Sequence, residues 1–200
     1  MPSELAWALT SDPVRQFAAW LSEAEAVGVP LAGAFALATA DPAGTPSVRM
    51  LLLRGFDVDG LRFFTNRASR KGRELAANPR AAAVFHWAPL DRQVRLAGTV
   101  TSLSDEESAA YWATRPRGSQ LAAWASHQGT ELDSTATLDA RVAELASRYE
   151  GTDVPLPPFW GGYLLAPDII EFWESRPDRL HHRVEFRRSG SRWKAHLLQP

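Results

Sequence analysis

The stretch GAFALATADPAGTPSVRMLLLRGFDVDGLRFFT, residues 33–65, decides the fold class. Three short apolar runs, 34–39, 48–53 and 61–65, are separated by Asp41-Pro42-Ala43-Gly44 and Asp57-Val58-Asp59-Gly60. Both separators carry the residue types that tight turns select, so the segment reads as an antiparallel meander.

Upstream, Ser11-Asp12-Pro13 places a capping side chain ahead of a proline at the first helical position. Val14, Phe17, Leu21 and Ala24 then recur at helical spacing, and the helix should end near Gly28. Downstream, 69–78 and 105–114 read as helices, the second opened by Ser104 with Glu107 three residues on. Two β runs, 81–87 and 93–100, flank Pro89, and 138–149 repeats apolar residues at helical spacing. Val154-Pro155-Leu156-Pro157-Pro158 is a stiff extended connector, after which 162–165, 169–173, 181–186 and 193–198 are expected to close the chain as strands. No internal repeat or low-complexity segment interrupts this order. The expectation is one folded unit over 1–200, mainly β with flanking helices: an N-terminal helical segment, 1–32, then a barrel or sandwich with helical insertions, 33–200. The chain has no Gly-x-Gly-x-x-Gly or Walker sequence, and its strands do not alternate regularly with helices, which disfavours a Rossmann domain.

Composition narrows the function classes. The 200 residues are 45% hydrophobic and 22% charged, ordinary for a globular chain, although eight are Trp. With 22 Lys and Arg against 23 Asp and Glu there is no global basic field to draw nucleic acid or an anionic membrane, so any anion binding must be local. The absence of cysteine removes disulfides, thiolate nucleophiles and cysteine metal sites. No secretory signal or membrane-length apolar stretch is present, and the expectation is a soluble cytoplasmic protein.

Four constellations carry possible chemistry. Thr65-Asn66-Arg67-Ala68-Ser69-Arg70-Lys71 lies between a strand and a helix, where cations oppose the helix dipole but an anion is favoured. Arg70 and Lys71 with the hydroxyls of Thr65 and Ser69 suit a phosphate, while a solvated basic helix start is the plain structural alternative. Tyr111 and Arg115-Pro116-Arg117-Gly118-Ser119-Gln120 gather guanidinium, hydroxyl and phenol within nine residues, although Arg115 could simply complement a helix C-terminus. In Arg179-Leu180-His181-His182-Arg183, strand alternation would put Arg179, His181 and Arg183 on one face. Three such groups together call for an anionic or electron-rich partner unless the strand is a wet edge, and adjacent histidines that point apart make a poor zinc site. The last, Arg49-Met50-Leu51-Leu52-Leu53-Arg54, is an apolar strand whose two arginines face opposite sides by parity and could be strand-end snorkellers. Gln93 and Trp173 remain open between site and ordinary sheet or core roles.

These segments together resemble the pyridoxamine 5'-phosphate oxidase family. The resemblance is carried by Ser47-Val48-Arg49-Met50-Leu51-Leu52-Leu53, Phe63-Phe64-Thr65-Asn66, Ser69-Arg70-Lys71, Arg92-Gln93-Val94, Arg115-Pro116-Arg117, Phe159-Trp160-Gly161-Gly162-Tyr163, Glu171-Phe172-Trp173 and Arg179-Leu180-His181. In order and with the family's spacings, they span roughly residues 12 to 200.

The resemblance implies an FMN-binding split β-barrel, a homodimer whose two FMN sites are each built from both subunits. It assigns Arg49, Met50, Leu51, Leu52, Leu53, Arg54, Phe64, Thr65, Arg70, Lys71, Gln93, Gln128, Trp173 and Arg183 to the cofactor, with Arg70 and Lys71 on its phosphate. Tyr111, Arg115 and Ser119 would hold the substrate phosphate, Arg54 would lie beside the substrate, and Arg179 and His181 would sit over the reacting carbon as catalytic residues. The implied reaction moves a hydride from C4' of pyridoxamine or pyridoxine 5'-phosphate to the flavin, with O2 as final acceptor, no metal, no nucleic acid and no membrane. Arg54 stands where the family usually has Lys, His182 replaces an Asp, Gly129 a Ser and Leu197 an Arg, and the N-terminus lacks an Arg-x-x-Tyr lid. Two other readings stay open: a secondary-metabolism oxidase acting on a phenazine-type dihydro-aromatic, and a flavin- or B6-phosphate-binding module without turnover.

Overall fold

The computed structural model describes residues 12–200; Ser11 and the rest of the expected N-terminal helical segment before Asp12 lie outside the described residues. Asp12 caps helix α1 (Pro13–Ala26), its carboxylate accepting from the Val14 N–H at 2.8 Å, with proline in the first turn. The helix buries Phe17, Trp20 and Ala24 and stops at Val27, after which Gly28 adopts the left-handed conformation at φ 77°.

The sheet is built from β1 (Ala34–Ala40), β2 (Pro46–Leu52), β3 (Gly55–Phe56), β4 (Leu61–Asn66), β5 (Arg80–Trp87), β6 (Arg92–Ser102), β7 (Trp160–Glu174), β8 (His182–Ser189) and β9 (Arg192–Leu197). Helices α2 (Arg70–Ala77), α3 (Asp105–Ala113), α4 (Arg117–Ala125) and α5 (Thr135–Arg148) interrupt it. All pairings are antiparallel, in the order β2-β1-β5-β6-β7-β4-β3, with β8 on β7 and β9 on β8.

The sheet curls strongly. Phe35 of β1 and Phe63 of β4 have β5, β6 and β7 between them, yet their ring centroids are 6.1 Å apart. Four inter-strand steps of about 4.8 Å would separate them by roughly 19 Å in a flat sheet, so the strands curl around a shared core. Phe17, Phe35, Leu37, Leu61, Phe63, Phe85, Trp87 and Leu165 fill it. The buried Trp87 indole N–H is satisfied by the Ala32 carbonyl at 2.9 Å. A second apolar cluster, Trp112, Leu121, Ala125, Leu145, Val154 and Trp160, packs α3, α4 and α5 against the start of β7.

Three sequence expectations are corrected. The runs 162–165 and 169–173 are one continuous strand, β7, because β6 pairs with both through a bulge at Ala97/Gly98 that leaves Asp168 unpaired opposite it. Pro167 offers no N–H to that ladder, and a Cβ at Gly98 would run into the Ala166 carbonyl. Residues 117–125, for which no helix was expected, form helix α4. The third concerns 179–183: β8 begins at His182, and Arg179 sits in a 3-10 turn (Pro177–Arg179) with φ 61°, so strand alternation does not place Arg179 on one face with His181 and Arg183.

Candidate active site

Strand β4 ends on Thr65 and Asn66, and Ser69 then caps α2, its hydroxyl accepting from the Gly72 N–H at 3.4 Å. This turn buries the side chain of Lys71, which is 6% exposed. Its Nζ donates to Thr65 Oγ1 at 3.0 Å, Ser69 Oγ at 3.1 Å and Gln128 Oε1 at 2.8 Å. All three acceptors are neutral. Burial, with the nearby Arg49 guanidinium, pulls the Lys71 pKa down to about 8. An ammonium so desolvated, with no counter-ion among the described residues and at a helix N-terminus, is a poor arrangement for an empty protein and a good one for an anion.

One turn along α2, Glu74 is also buried and binds cations on both sides. Oε1 accepts from Arg70 Nε at 2.7 Å, and Oε2 from Ser47 Oγ at 2.6 Å, from Arg49 Nη2 at 3.3 Å and from Thr39 Oγ1. Burial alone would raise its pKa, but the hydrogen bonds from Ser47 and Thr39 and the Arg70 ion pair outweigh it and hold the carboxyl at about 2.

The second cation group stands on an aromatic floor. Phe64 and Tyr111 stack at 4.0 Å, Phe64 and Trp160 at 5.5 Å. Arg115 lies over Trp160 at 4.9 Å and Trp112 at 5.5 Å, and Arg54 over Tyr111 at 5.6 Å. Arg115 Nη2 donates to the Ser119 carbonyl at 3.0 Å, whereas its buried Nε has no hydrogen-bond partner among the described residues. Burial lowers the Arg115 pKa, an effect that Tyr111 opposes and Arg54 reinforces. Arg67 Nε is likewise without a partner among the described residues; at the cleft-lining Arg115 the orphaned donor is open to an acceptor from outside the chain.

One cleft of about 330 Å³ adjoins both groups. Thr65 and Gln128, which accept from Lys71, line it with Asn66; Arg115 and Ser119 line it too, with Phe64, Leu51 and Trp160. Within 49–53, Arg49, Leu51 and Leu53 turn inward, while Met50, at 63% exposure, and Leu52 lie on the opposite face of β2. Arg70 is 58% exposed and held by Glu74, outside the cleft lining.

The remaining candidates form a separate group. Gln93 of β6, Trp173 of β7 and Arg183 of β8 are paired in register across three strands. His181 rests against Trp173 at 4.6 Å and accepts the Arg176 backbone N–H at Nδ1, 3.2 Å away, which leaves Nε2 to carry the proton of the neutral ring. Arg179 is exposed. Arg183 donates from Nε to the buried Glu171 at 2.7 Å and from Nη1 to the Gln199 carbonyl at 3.1 Å. Thr65 pairs with residue 161 of β7 and Gln93 with residue 173, positions separated by a strand contour of roughly 40 Å at about 3.3 Å per residue. The cleft lined by Thr65 and Gln128 is not lined by Gln93, Trp173 or Arg183. Among the described residues, no His, Asp and Glu cluster is disposed to hold a metal ion.

Comparison with known proteins decides the family. The pyridoxamine 5'-phosphate oxidase profile matches residues 21–149, and the pyridoxine 5'-phosphate oxidase C-terminal dimerisation region matches residues 160–200. The chain belongs to the pyridoxamine 5'-phosphate oxidase family.

The pyridoxine/pyridoxamine 5'-phosphate oxidase of Rubrobacter xylanophilus is 53% identical over 189 residues, 94% of this chain and 87% of that one. Its counterpart in Anaeromyxobacter dehalogenans is also 53% identical, over 94% of this chain and 96% of its own length. Among solved structures, PhzG from Burkholderia lata 383 in complex with tetrahydrophenazine-1-carboxylic acid superposes with a TM-score of 0.90 at 36% identity, covering 95% of this chain and 93% of that chain. A pyridoxamine 5'-phosphate oxidase-related FMN binding protein from Nostoc punctiforme PCC 73102, 22% identical with a TM-score of 0.74, shares the fold. The chain is thus an oxidoreductase of the pyridoxamine 5'-phosphate oxidase family on its antiparallel barrel scaffold.

Sequence reasoning gave no role to three residues that shape this site: Glu74, Trp160 and Glu171. Trp160 and Glu171 did lie inside segments resembling the pyridoxamine 5'-phosphate oxidase family, whereas Glu74 gave no signal, because its partners Thr39 and Ser47 are remote in sequence. Of the departures from the family pattern, Gly129 occupies a left-handed position, φ 88°, where glycine is unstrained and serine is not.

Proposed function

We propose that the chain is an FMN-dependent oxidase that converts pyridoxamine or pyridoxine 5'-phosphate to pyridoxal 5'-phosphate, with O2 as electron acceptor. The observation that carries this reading is that two cations at one cleft lack an anion among the described residues: Arg115, which lines it with an unpartnered Nε, and Lys71, whose partners are all neutral and include the cleft-lining Thr65 and Gln128. The proposed chemistry has two phosphates, one on the cofactor and one on the substrate.

In this reading Lys71, Thr65 and Gln128, with Arg49 and Arg70, hold the FMN phosphate, and the Arg49 to Arg54 segment, which runs from β2 past its end at Leu52, borders the cofactor with Phe64. Tyr111, Arg115, Ser119 and Arg54 hold the substrate phosphate and thereby orient the vitamin ring. FMN, when bound, supplies hydride acceptance and reaction with O2. Arg179 stabilises negative charge on a ligand oxygen, and His181 exchanges a proton at Nε2 with the substrate hydroxyl or amine.

The working unit in this proposal is a homodimer, each cofactor site taking Gln93, Trp173 and Arg183 from one subunit and Lys71 with its neighbours from the other. The separation of these groups along β7 supports that arrangement, as does the match of residues 160–200 to a dimerisation region. The sheet face opposite the core supports it further, with a shallow hollow of about 430 Å³ among Ala36, Ala38, Val48, Ala82 and Gln93 beside the exposed Met50. No helix among the described residues is long and apolar enough to cross a membrane.

A second reading, oxidation of a phenazine-type dihydro-aromatic, is favoured by the structural likeness to the Burkholderia lata protein. The intact Tyr111, Arg115 and Ser119 group argues against it, since a tricycle without phosphate has no use for that clamp. An aerobic assay separates them: purified protein with FMN should yield pyridoxal 5'-phosphate and peroxide from pyridoxamine 5'-phosphate. Much faster oxidation of a dihydrophenazine would overturn the proposal, and binding without turnover of either would favour a carrier.

A further inference from the structure

We propose that Glu74 is a positioning residue for the cofactor phosphate, acting through Arg49 and Arg70; the inference rests on the FMN reading above. Its carboxylate stands between two guanidiniums from different elements, Arg49 on β2 and Arg70 at the start of α2, with Lys71 next to Arg70 in sequence. Thr39 of β1 and Ser47 of β2 also donate to it, so three secondary-structure elements converge on one buried anion.

The bonding pattern assigns each group a task. Arg49 places Nη1 on the Leu37 carbonyl and Thr39 Oγ1 and Nη2 on Ser47 Oγ and Glu74, so its guanidinium is held in place. Arg70 gives Glu74 its Nε at 2.7 Å, while its side chain remains more than half exposed, leaving Nη1 and Nη2 for a phosphate oxygen. The charges of Arg49, Arg70, Lys71 and Glu74 sum to +2, which complements a phosphate monoester of about −1.5 to −2 at neutral pH. Without the carboxylate, three cations crowd one another, and the half-exposed Arg70 is free to swing into water. An ordinary structural ion cluster would serve the fold alone; a positioning residue acts selectively on the phosphate.

Riboflavin, which lacks the phosphate, separates these cases. Apoprotein of wild type, Glu74→Gln and Glu74→Asp would be titrated with FMN and with riboflavin by flavin fluorescence, with the melting temperature of each apoprotein recorded. The expected result is that Glu74→Gln lowers the FMN-to-riboflavin affinity ratio at least tenfold, and that Glu74→Asp, which keeps the charge but shortens the reach, lowers it less. An unchanged or increased ratio overturns the inference, even if both affinities and the melting temperature fall together. Should Glu74→Gln fail to fold, the Glu74→Asp ratio decides by the same criterion. Wild-type protein that does not prefer FMN to riboflavin would instead defeat the cofactor reading itself, an outcome distinct from failure of the Glu74 role.

Discussion

The Lys71 ammonium donates to the Gln128 side-chain oxygen at 2.8 Å, joining the start of α2 to a loop 57 residues further along the chain. A buried cation used to hold two segments together would ordinarily meet a carboxylate, and here it meets an amide and two hydroxyls. The charge is left for something else, which is the physical root of the functional proposal.

Removing that charge should therefore separate binding from folding. Lys71→Met is expected to weaken FMN binding by about 10- to 150-fold, the loss of a charge-assisted contact of about 1.5–3 kcal/mol. The apoprotein, freed of a desolvated cation, should melt at or above the wild-type temperature. Fluorescence titration and thermal melts of apoprotein check both, and an apoprotein strongly destabilised with FMN affinity intact would show that Lys71 serves the fold alone.

The same lysine sets a pH dependence. Its pKa in the folded apoprotein, about 8, lies below the ordinary 10.5, so the cost of burying the charge is fully present below about pH 8 and is relieved as pH rises from 8 to 10.5. A bound phosphate favours the charged form and reverses the shift. FMN affinity should hold steady from pH 7 to 8 and then fall, by up to about tenfold per unit, and Lys71→Met should remove that inflection. A flat wild-type profile to pH 10 would contradict it.

How much of this was legible in the sequence follows from how local the causes are. The meander was readable because Phe35, Leu37 and Thr39 alternate with less buried neighbours and the turns carry their own chemistry. Helix α4 was hidden by Gly118 in its first turn and by the absence of a side-chain cap. The unity of β7 could not be read locally, since Pro167-Asp168 looks like a break and only pairing with β6 carries the strand through it. Lys71, Arg115 and Ser119 were singled out because charge and hydroxyls stand close in sequence. The position of Arg179 was misread because nothing nearby announces a left-handed arginine.

Arg115 tests the other end of the cleft. Arg115→Ala should raise KM for pyridoxamine 5'-phosphate by roughly 10- to 150-fold, consistent with loss of a charged hydrogen-bond donor, while FMN stays bound. Steady-state kinetics on flavin-saturated enzyme give the answer, and an unchanged KM would remove Arg115 from the clamp.

The shared site makes a prediction about mixtures. Lys71→Ala and Arg183→Ala homodimers should each bind FMN weakly, because each damages both of their sites. After subunit exchange, the mixed dimer has one site with both defects and one with neither, so tight FMN binding should return to at most one site per mixed dimer. No recovery in a verified mixed dimer would place Arg183 outside the shared site.

The most direct test of the central claim, that one cleft grips two phosphates by separate groups, is a phosphorus NMR spectrum of the protein saturated with FMN and pyridoxal 5'-phosphate. The account predicts two bound resonances, one lost or moved in Lys71→Met and the other in Arg115→Ala. A single bound phosphate, or one variant disturbing both resonances equally while the other disturbs neither, would contradict it.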